Sequence, residues 1–341
     1  MEVTFLNPGS ATEPFFGKLT AFMRIAASQL DIDLEVIDCH LQQSRMVGET
    51  EALLARTRRP EYVVMGNPDG AAVDLLPRVT DAGIKVMLIN EGIMSYDHPK
   101  VGRPRRPLEN WLGQLRPDDQ QAGQMLADHL LDVATDKDRF GTDGTIHLVG
   151  LAGDHNWCSN SRVVGLTRAV KAQPNVTMNS VRLGGWNRDK ARELTSGMLQ
   201  MFPEVSVVWA ASDLMAAGAI EAIEAAGLVP GRDVIVGGVD WAPVAYDQVR
   251  DGSLTASAGG HFMEGAWALV MLYDHHCGRD FAATGVQSTF VLLTAENLHE
   301  HAAFFDDSRW EDADFARLSK AKNPAADSYA LTPHAAFPAL S

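Results

Sequence analysis

The residues of this sequence that are typed for chemistry fall at one kind of place, the few positions after a short apolar run. Asn7 and the string EPFF (13–16) follow VTFL, Asn67 and Asp69 follow YVVMG, and Asn90 and Glu91 close KVMLIN. Further on, Asp154, His155, Asn156 and Trp157 follow TIHLVGL, with Arg162 just beyond; Trp186 follows VTMNSVRL, Ser212 and Asp213 follow VSVVWAA, and Asp240 and Trp241 end DVIVGGVD. Flat rings, planar amides, carboxylates and a guanidinium suit a neutral polyhydroxylated guest, whose C–H faces stack on aromatics while each hydroxyl needs a donor and an acceptor. Turnover lacks its usual handles, since no GxGxxG follows a strand and neither GxxxxGK[ST] nor GxSxG occurs. Asp213 and Asp240 are the raw material of a glycosidase pair, but the separation that decides such a mechanism is not written in a sequence. No enzyme and no cofactor are expected.

Metal binding is not expected either. The strings DHHC (274–277) and HEH (299–301) put ligands side by side, whereas helical sites share a face at i, i+3 or i+4. Cys39, Cys158 and Cys277 have no paired spacing. The 29 Lys and Arg against 44 Asp and Glu give a net charge of −15, which repels phosphate backbones and argues against a nucleic-acid partner. RTRRP (56–60) and RPRRP (103–107) are broken by proline and read as solvated loops. No apolar run approaches the ~18 residues of a membrane span, so insertion is not expected.

The elements that must position these residues follow one rhythm. Strand-like runs begin at 3, 34, 62 and 85 and alternate with helical patterns near 16–30, 48–56 and 71–82. After a Pro-rich, basic stretch at 94–119, read as an excursion or lobe boundary, the rhythm restarts. Helices near 119–133, 161–172, 188–201, 213–226 and 243–250 alternate with runs at 145, 176, 205 and 233. Runs LTASAGG at 254 and STFVLLT at 288 flank a last helix, 262–277. Repeated β-α units with short loops predict parallel sheets covered by helices on both faces, and ligands collect outside the carboxyl ends of such strands. The stretch from 304 to 341 is rich in Asp, Ala and Pro and reads as an appended tail, dispensable for binding.

EPFF, NP at 67–68, LIN at 88–90, SRVVG at 161–165, AASDLMAAGAIEAIEAAG at 210–227 and GGVD at 237–240 together resemble the type I periplasmic sugar-binding proteins. The match runs in order and spacing over about residues 3–295, nearest the ribose-binding and autoinducer-2-binding branches. This resemblance implies an α/β fold of two Rossmann-like lobes, each a parallel sheet flanked by helices, joined by a three-strand hinge. The first lobe would take 1–117 plus 262–290 and the second 118–260 plus 291–303, leaving 304–341 as an extension. It implies ligand contacts from Glu13 and Phe16 with Phe15 beside them, and from Asn67, Asn90, Arg162, Trp186, Ser212, Asp213 and Asp240. Trp157 is an extra ring nearby, as is Trp241, and His261 stands at the third hinge.

It further implies capture of a sugar or polyol by hinge closure and delivery to an ABC permease or a membrane sensor in signal transduction. The protein would be a periplasmic monomer whose signal peptide has been removed. Where ribose binders carry Asp-Arg and a hinge Gln, this chain has Asn90-Glu91 and Gly260-His261, and Val239 replaces an aromatic, so a ribose pocket is not expected. The alternatives are a cytoplasmic sensing core of the LacI-repressor kind, disfavoured by charge and by the lack of a helix-turn-helix before Val3, and an α/β enzyme on carbohydrate.

Several of these residues also have plain structural uses. Ser212 reads as an N-cap with Asp213 in the first helical turn, Asn67 and Asn90 as caps, Phe15 and Phe16 as a hydrophobic staple, and His261 as packing. Arg162 stands out, because an arginine near a helix start opposes the dipole.

Overall fold

The computed structural model describes residues 1–281, 286–326 and 328–338. In chain order the elements are β1 (Glu2–Asn7), α1 (Pro14–Gln29), β2 (Asp33–Asp38), α2 (Gln43–Leu54), β3 (Tyr62–Met65), α3 (Ala71–Asp81), β4 (Lys85–Ile89), α4 (His98–Val101), β5 (Gly102–Arg103), β6 (Arg106–Pro107) and β7 (Trp111–Pro117). They continue with α5 (Asp119–Asp136), β8 (Ile146–Ala152), α6 (Trp157–Ala172), β9 (Val176–Leu183), α7 (Arg188–Met201), β10 (Val205–Ala210), α8 (Asp213–Ala225), β11 (Ile235–Val239) and α9 (Pro243–Asp251). The last are β12 (Ala256–Gly259), α10 (Glu264–His276), β13 (Val286–Ser288) and β14 (Val291–Thr294), followed by short 3₁₀ turns.

The chain forms two compact units. One comprises Met1–Pro117, His261–Thr289 and Asp307–Ser341, the other Asp118–Gly260 and Phe290–Asp306. The first holds a six-stranded sheet in the order β13-β7-β4-β3-β1-β2, parallel throughout; the second holds β14-β12-β11-β10-β8-β9, parallel except for β14 against β12. In both, the order reverses around the first strand, with β2 on one side of β1 and β3 on the other, and β9 and β10 likewise about β8. Such a switch point opens a crevice at the strands' carboxyl ends. The apolar runs are strands because both faces are covered: β3, β8, β10 and β11 are buried at every position.

Three segments differ from the sequence reading. The stretch 94–119 does contain the boundary between the units, at Pro117 and Asp118, but its second half, WLGQLRP, is β7, a strand lying between β4 and β13. STFVLLT is not one strand: β13 joins the first sheet and β14 the second. The tail is not an appendage. Trp310, Phe315 and Phe337 gather round the Phe22 ring on α1, with centroids 5.1, 6.3 and 6.2 Å away. The Asp274 carboxylate, fully buried on α10, accepts from Ser319 Oγ (2.5 Å), Lys320 N (2.8 Å), Ala321 N (3.0 Å) and Tyr329 Oη (2.9 Å). With this return the chain passes between the units four times, where three crossings are expected from the sequence.

Within the second unit, Gly123 on α5 and Gly165 on α6 let two helix backbones touch. A Cβ on Gly123 would lie 2.0 Å from the Arg162 carbonyl oxygen, and one on Gly165 would lie 2.1 Å from that of Gln120. This approach brings Asp119, in the first turn of α5, against Arg162.

Candidate functional site

In each unit the polar and aromatic residues expected at strand ends do stand after the carboxyl ends of that unit's parallel strands. In the first unit Glu13 is the N-cap of α1, in extended conformation and with no side-chain cap bond. Burial raises its pKa, and His40 and the Ser10 backbone act in the opposite direction. Phe15 meets Phe16 edge-on, with centroids 5.2 Å apart, and stacks on the His261 ring at 4.6 Å with 29° between planes. Asn90 holds a φ of 65°, in the left-handed region that side chains other than glycine enter at a cost. Its N–H donates to Glu264 Oε2 at 2.8 Å, and Ser288 Oγ donates to Oε1 of the same buried carboxylate at 2.6 Å.

In the second unit the centre is Arg162, 3% exposed. Its Nε donates to Asp119 Oδ1 (2.9 Å), and Nη1 donates to the Ala211 carbonyl (2.6 Å) and to Asp240 Oδ1 (3.2 Å). The guanidinium carbon lies 5.9 Å from the Trp186 ring centroid and 5.7 Å from that of Phe290. Burial works against the Arg162 charge, but Asp119 and Asp240 beside it prevail and raise its pKa. Here is the reason for an arginine so near a helix start: two carboxylates and a carbonyl hold it. Trp186 lies flat over Gly153, whose Cβ would fall 2.1 Å from the ring, and donates from Nε1 to Asp154 Oδ2 at 2.9 Å. Trp157 opens α6 half-buried, behind the Asn156 cap.

Asp240, Trp241 and Trp186 all take positive φ, at 118°, 54° and 57°. Strain of this kind is kept where the surrounding structure over-determines it. Asp240 keeps 18% of its side chain exposed; burial pushes its pKa up to about 6, against the pull of Arg162. The set can donate through a fixed fork, accept at carboxylates and stack on rings, which is the repertoire that hydroxyl groups and sugar faces need.

Other expected contacts are occupied within their own units. Asn67 is buried, with Oδ1 accepting from Ala72 N (2.9 Å) and Nδ2 donating to Gly92 O (3.0 Å), so it ties the start of α3 to the loop after β4. Ser212 caps α8 through Met215 N. Asp213 is fully buried, accepting from Ser257 Oγ (2.8 and 3.0 Å) and Ala242 N (2.8 Å). Burial first, then Asp240, raises its pKa well above the usual range. Asp213 thus ties α8 to the loop after β11 instead of meeting a guest. His261 is 1% exposed beneath Phe15. Trp241 is a core ring, 4.7 Å from His301 and 5.5 Å from Phe304, rather than an extra ring in a pocket.

Sequence reasoning missed Asp119 and Phe290. Asp119 follows the Asp118 cap and reads as a first-turn acid; only the Gly123–Gly165 contact hints at its partner.

Comparison with known proteins agrees with this fold. The family model for the periplasmic binding protein domain matches residues 3–280. The galactofuranose-binding protein YtfQ of Escherichia coli is 33% identical over 99 residues, 28% of this chain and 31% of that protein. The D-allose-binding periplasmic protein of the same organism is 30% identical over 140 residues, 40% and 44% of the two chains. The chain therefore spans under half the length of these two relatives, but 74% of the ribose import binding protein of Salmonella typhimurium, at 25% identity over 72% of its own length. Among solved structures, a periplasmic sugar-binding protein from Pseudomonas fluorescens superimposes with a TM-score of 0.85 at 28% identity, covering 96% of both chains. With this fold, these strand-end residues and this match over most of its length, the chain belongs to the periplasmic binding protein family.

Proposed function

We propose that this protein captures a sugar or sugar-like polyol, unchanged, and hands it to an ABC importer in the periplasm. The observation that carries the reading is the group formed by Arg162, Asp240, Trp186 and Asp154: a held guanidinium, a partly exposed carboxylate and a ring fixed through its indole N–H at the carboxyl edge of one sheet. Glu13, Phe15, Phe16 and Asn90, after the strands of the first unit's sheet, offer an acid, two rings and an amide of the same chemical repertoire, and Trp157 in the second unit offers a further ring. Relatives named for galactofuranose, allose and ribose support the substrate class. A membrane sensor as recipient would use the same capture step.

Mass spectrometry of small molecules released from the purified protein, with a thermal-shift panel of pentoses, hexoses and inositols, tests the reading. One sugar should raise the melting temperature, and a ligand at 1,000 times its Kd adds about 4 kcal/mol. A silent panel, or conversion of a sugar into product, would refute it.

A further inference from the structure

At the opposite, amino edge of the second sheet, Asp143, His147 and Glu204 come together just before or at the start of β8 and β10. We propose that these three side chains form a binding site for a divalent first-row transition ion, zinc foremost, separate from the sugar-contacting residues. His147 Nε2 lies 3.2 Å from Asp143 Oδ1 and 3.7 Å from Glu204 Oε2, and one ligand atom from each residue lies within 4.8 Å of the others. Ligands at ~2.0–2.2 Å from a tetrahedral zinc stand ~3.3–3.5 Å apart, so small side-chain adjustments close the set around an ion.

Each donor is held in place. His147 Nδ1 faces Asn179 Oδ1 at 3.3 Å, so an Nδ1–H donated there leaves the Nε2 lone pair on the side of the two carboxylates, where Thr145 Oγ1 also lies at 3.3 Å and donates to Asp143 Oδ1. That orientation of imidazole by an outer partner is the usual support of a metal-bound histidine. Asp143 Oδ1 accepts from Thr145 N at 2.9 Å, and Glu204 Oε1 accepts from Thr142 N at 2.8 Å. His147 is only 9% exposed, while both carboxylates reach solvent, which leaves an entry path.

The backbone also leaves room. A Cβ on Gly141 would fall 2.9 Å from His147 Nε2 and 3.2 Å from Glu204 Oε2, so a larger residue would crowd the space between the donors. An imidazole nitrogen among carboxylate oxygens favours zinc, cobalt or nickel over calcium and magnesium. Bound there, the ion would tie the loop before β8 to the start of β10 and stabilise the second unit.

The full chain, freed of metal with EDTA and dialysed, is titrated with ZnCl2 by calorimetry and melted with and without zinc. CoCl2 serves as a visible probe. One equivalent should bind, the melting temperature should rise by several degrees, and bound Co2+ should show d–d bands. Glu204→Gln, Asp143→Asn and His147→Gln should each weaken zinc binding at least tenfold with sugar affinity unchanged. A wild-type protein without heat, thermal shift or cobalt bands overturns the proposal. So does a Asp143→Asn, Glu204→Gln double variant that binds zinc as tightly as wild type, or stabilisation of the cluster by acid alone with no response to metal. Should the variants not fold, the wild-type cobalt spectrum decides.

Discussion

Replacing Arg162 with methionine tests how the second unit is built. As an expected ligand contact Arg162 would matter to binding alone; its burial makes it matter to the ligand-free fold as well. The guanidinium is 3% exposed, and the Asp119 carboxylate it bonds at 2.9 Å has a side chain that is 0% exposed. Removing one partner of a buried ion pair costs about 3–5 kcal/mol, because the other charge stays in a dry environment. At about 2–4 °C per kcal/mol for a domain of this size, calorimetry of the ligand-free Arg162→Met protein should show a fall of roughly 10 °C. Adding Asp119→Leu should recover part of it, since an apolar pair of similar volume often replaces a buried ion pair without loss. An Arg162→Met protein melting within about 2 °C of wild type would refute the claim that these groups form a buried network.

Four further outcomes are expected. Asp240 has a folded pKa raised from 3.8 to about 6 by burial, so the folded state holds its proton more tightly and wild type loses stability as pH rises through that window. Melting of Asp240→Asn against wild type should therefore shift in the variant's favour between pH 4 and pH 7, by on the order of 2 kcal/mol; a constant difference would contradict the burial of this carboxyl. Sugar affinity that uses the Asp240 carboxylate should instead fall as pH drops below about 6, checked by titration calorimetry from pH 5 to 8. Ending the chain at 306 removes the four donors from Ser319, Lys320, Ala321 and Tyr329 to the Asp274 carboxylate and three rings around Phe22, at a cost of at least about 3 kcal/mol, so soluble expression and melting temperature should both drop. Trp186→Ala should weaken sugar binding at least tenfold with a melting change of a few degrees at most, read by calorimetry in both cases.

Much of the architecture was legible because parallel strands buried on both faces read as unbroken apolar runs, as in YVVM, KVMLI and IVGGV. β7 was not, since Gln114 breaks its apolar pattern and arginines and prolines flank it. That glutamine is 8% exposed because its Oε1 accepts from Ile93 N. The tail was illegible for a different reason: 3₁₀ turns carry no helical period, so Trp310, Phe315 and Phe337 look like isolated rings until α1 supplies their common partner. Strand-end position singled out Arg162, Trp186 and Asp240 together with Asp213 and Asn67 and did not tell the two groups apart. The difference lies in hydrogen-bond partners distant in sequence, Ser257 for Asp213 and Gly92 for Asn67. The Asp143, His147 and Glu204 group was hidden in the same way, because β8 and β10 pair only in the folded sheet.

The central claim, capture of a sugar without chemistry, is tested most directly by titration calorimetry of the ligand-stripped protein against a panel of pentoses, hexoses and inositols, with the sugar recovered and weighed by mass spectrometry afterwards. The account predicts one sugar bound at one equivalent per chain with a Kd in the micromolar range or tighter, recovered with its mass unchanged. Absence of heat across the panel, or recovery of an altered sugar, would contradict it.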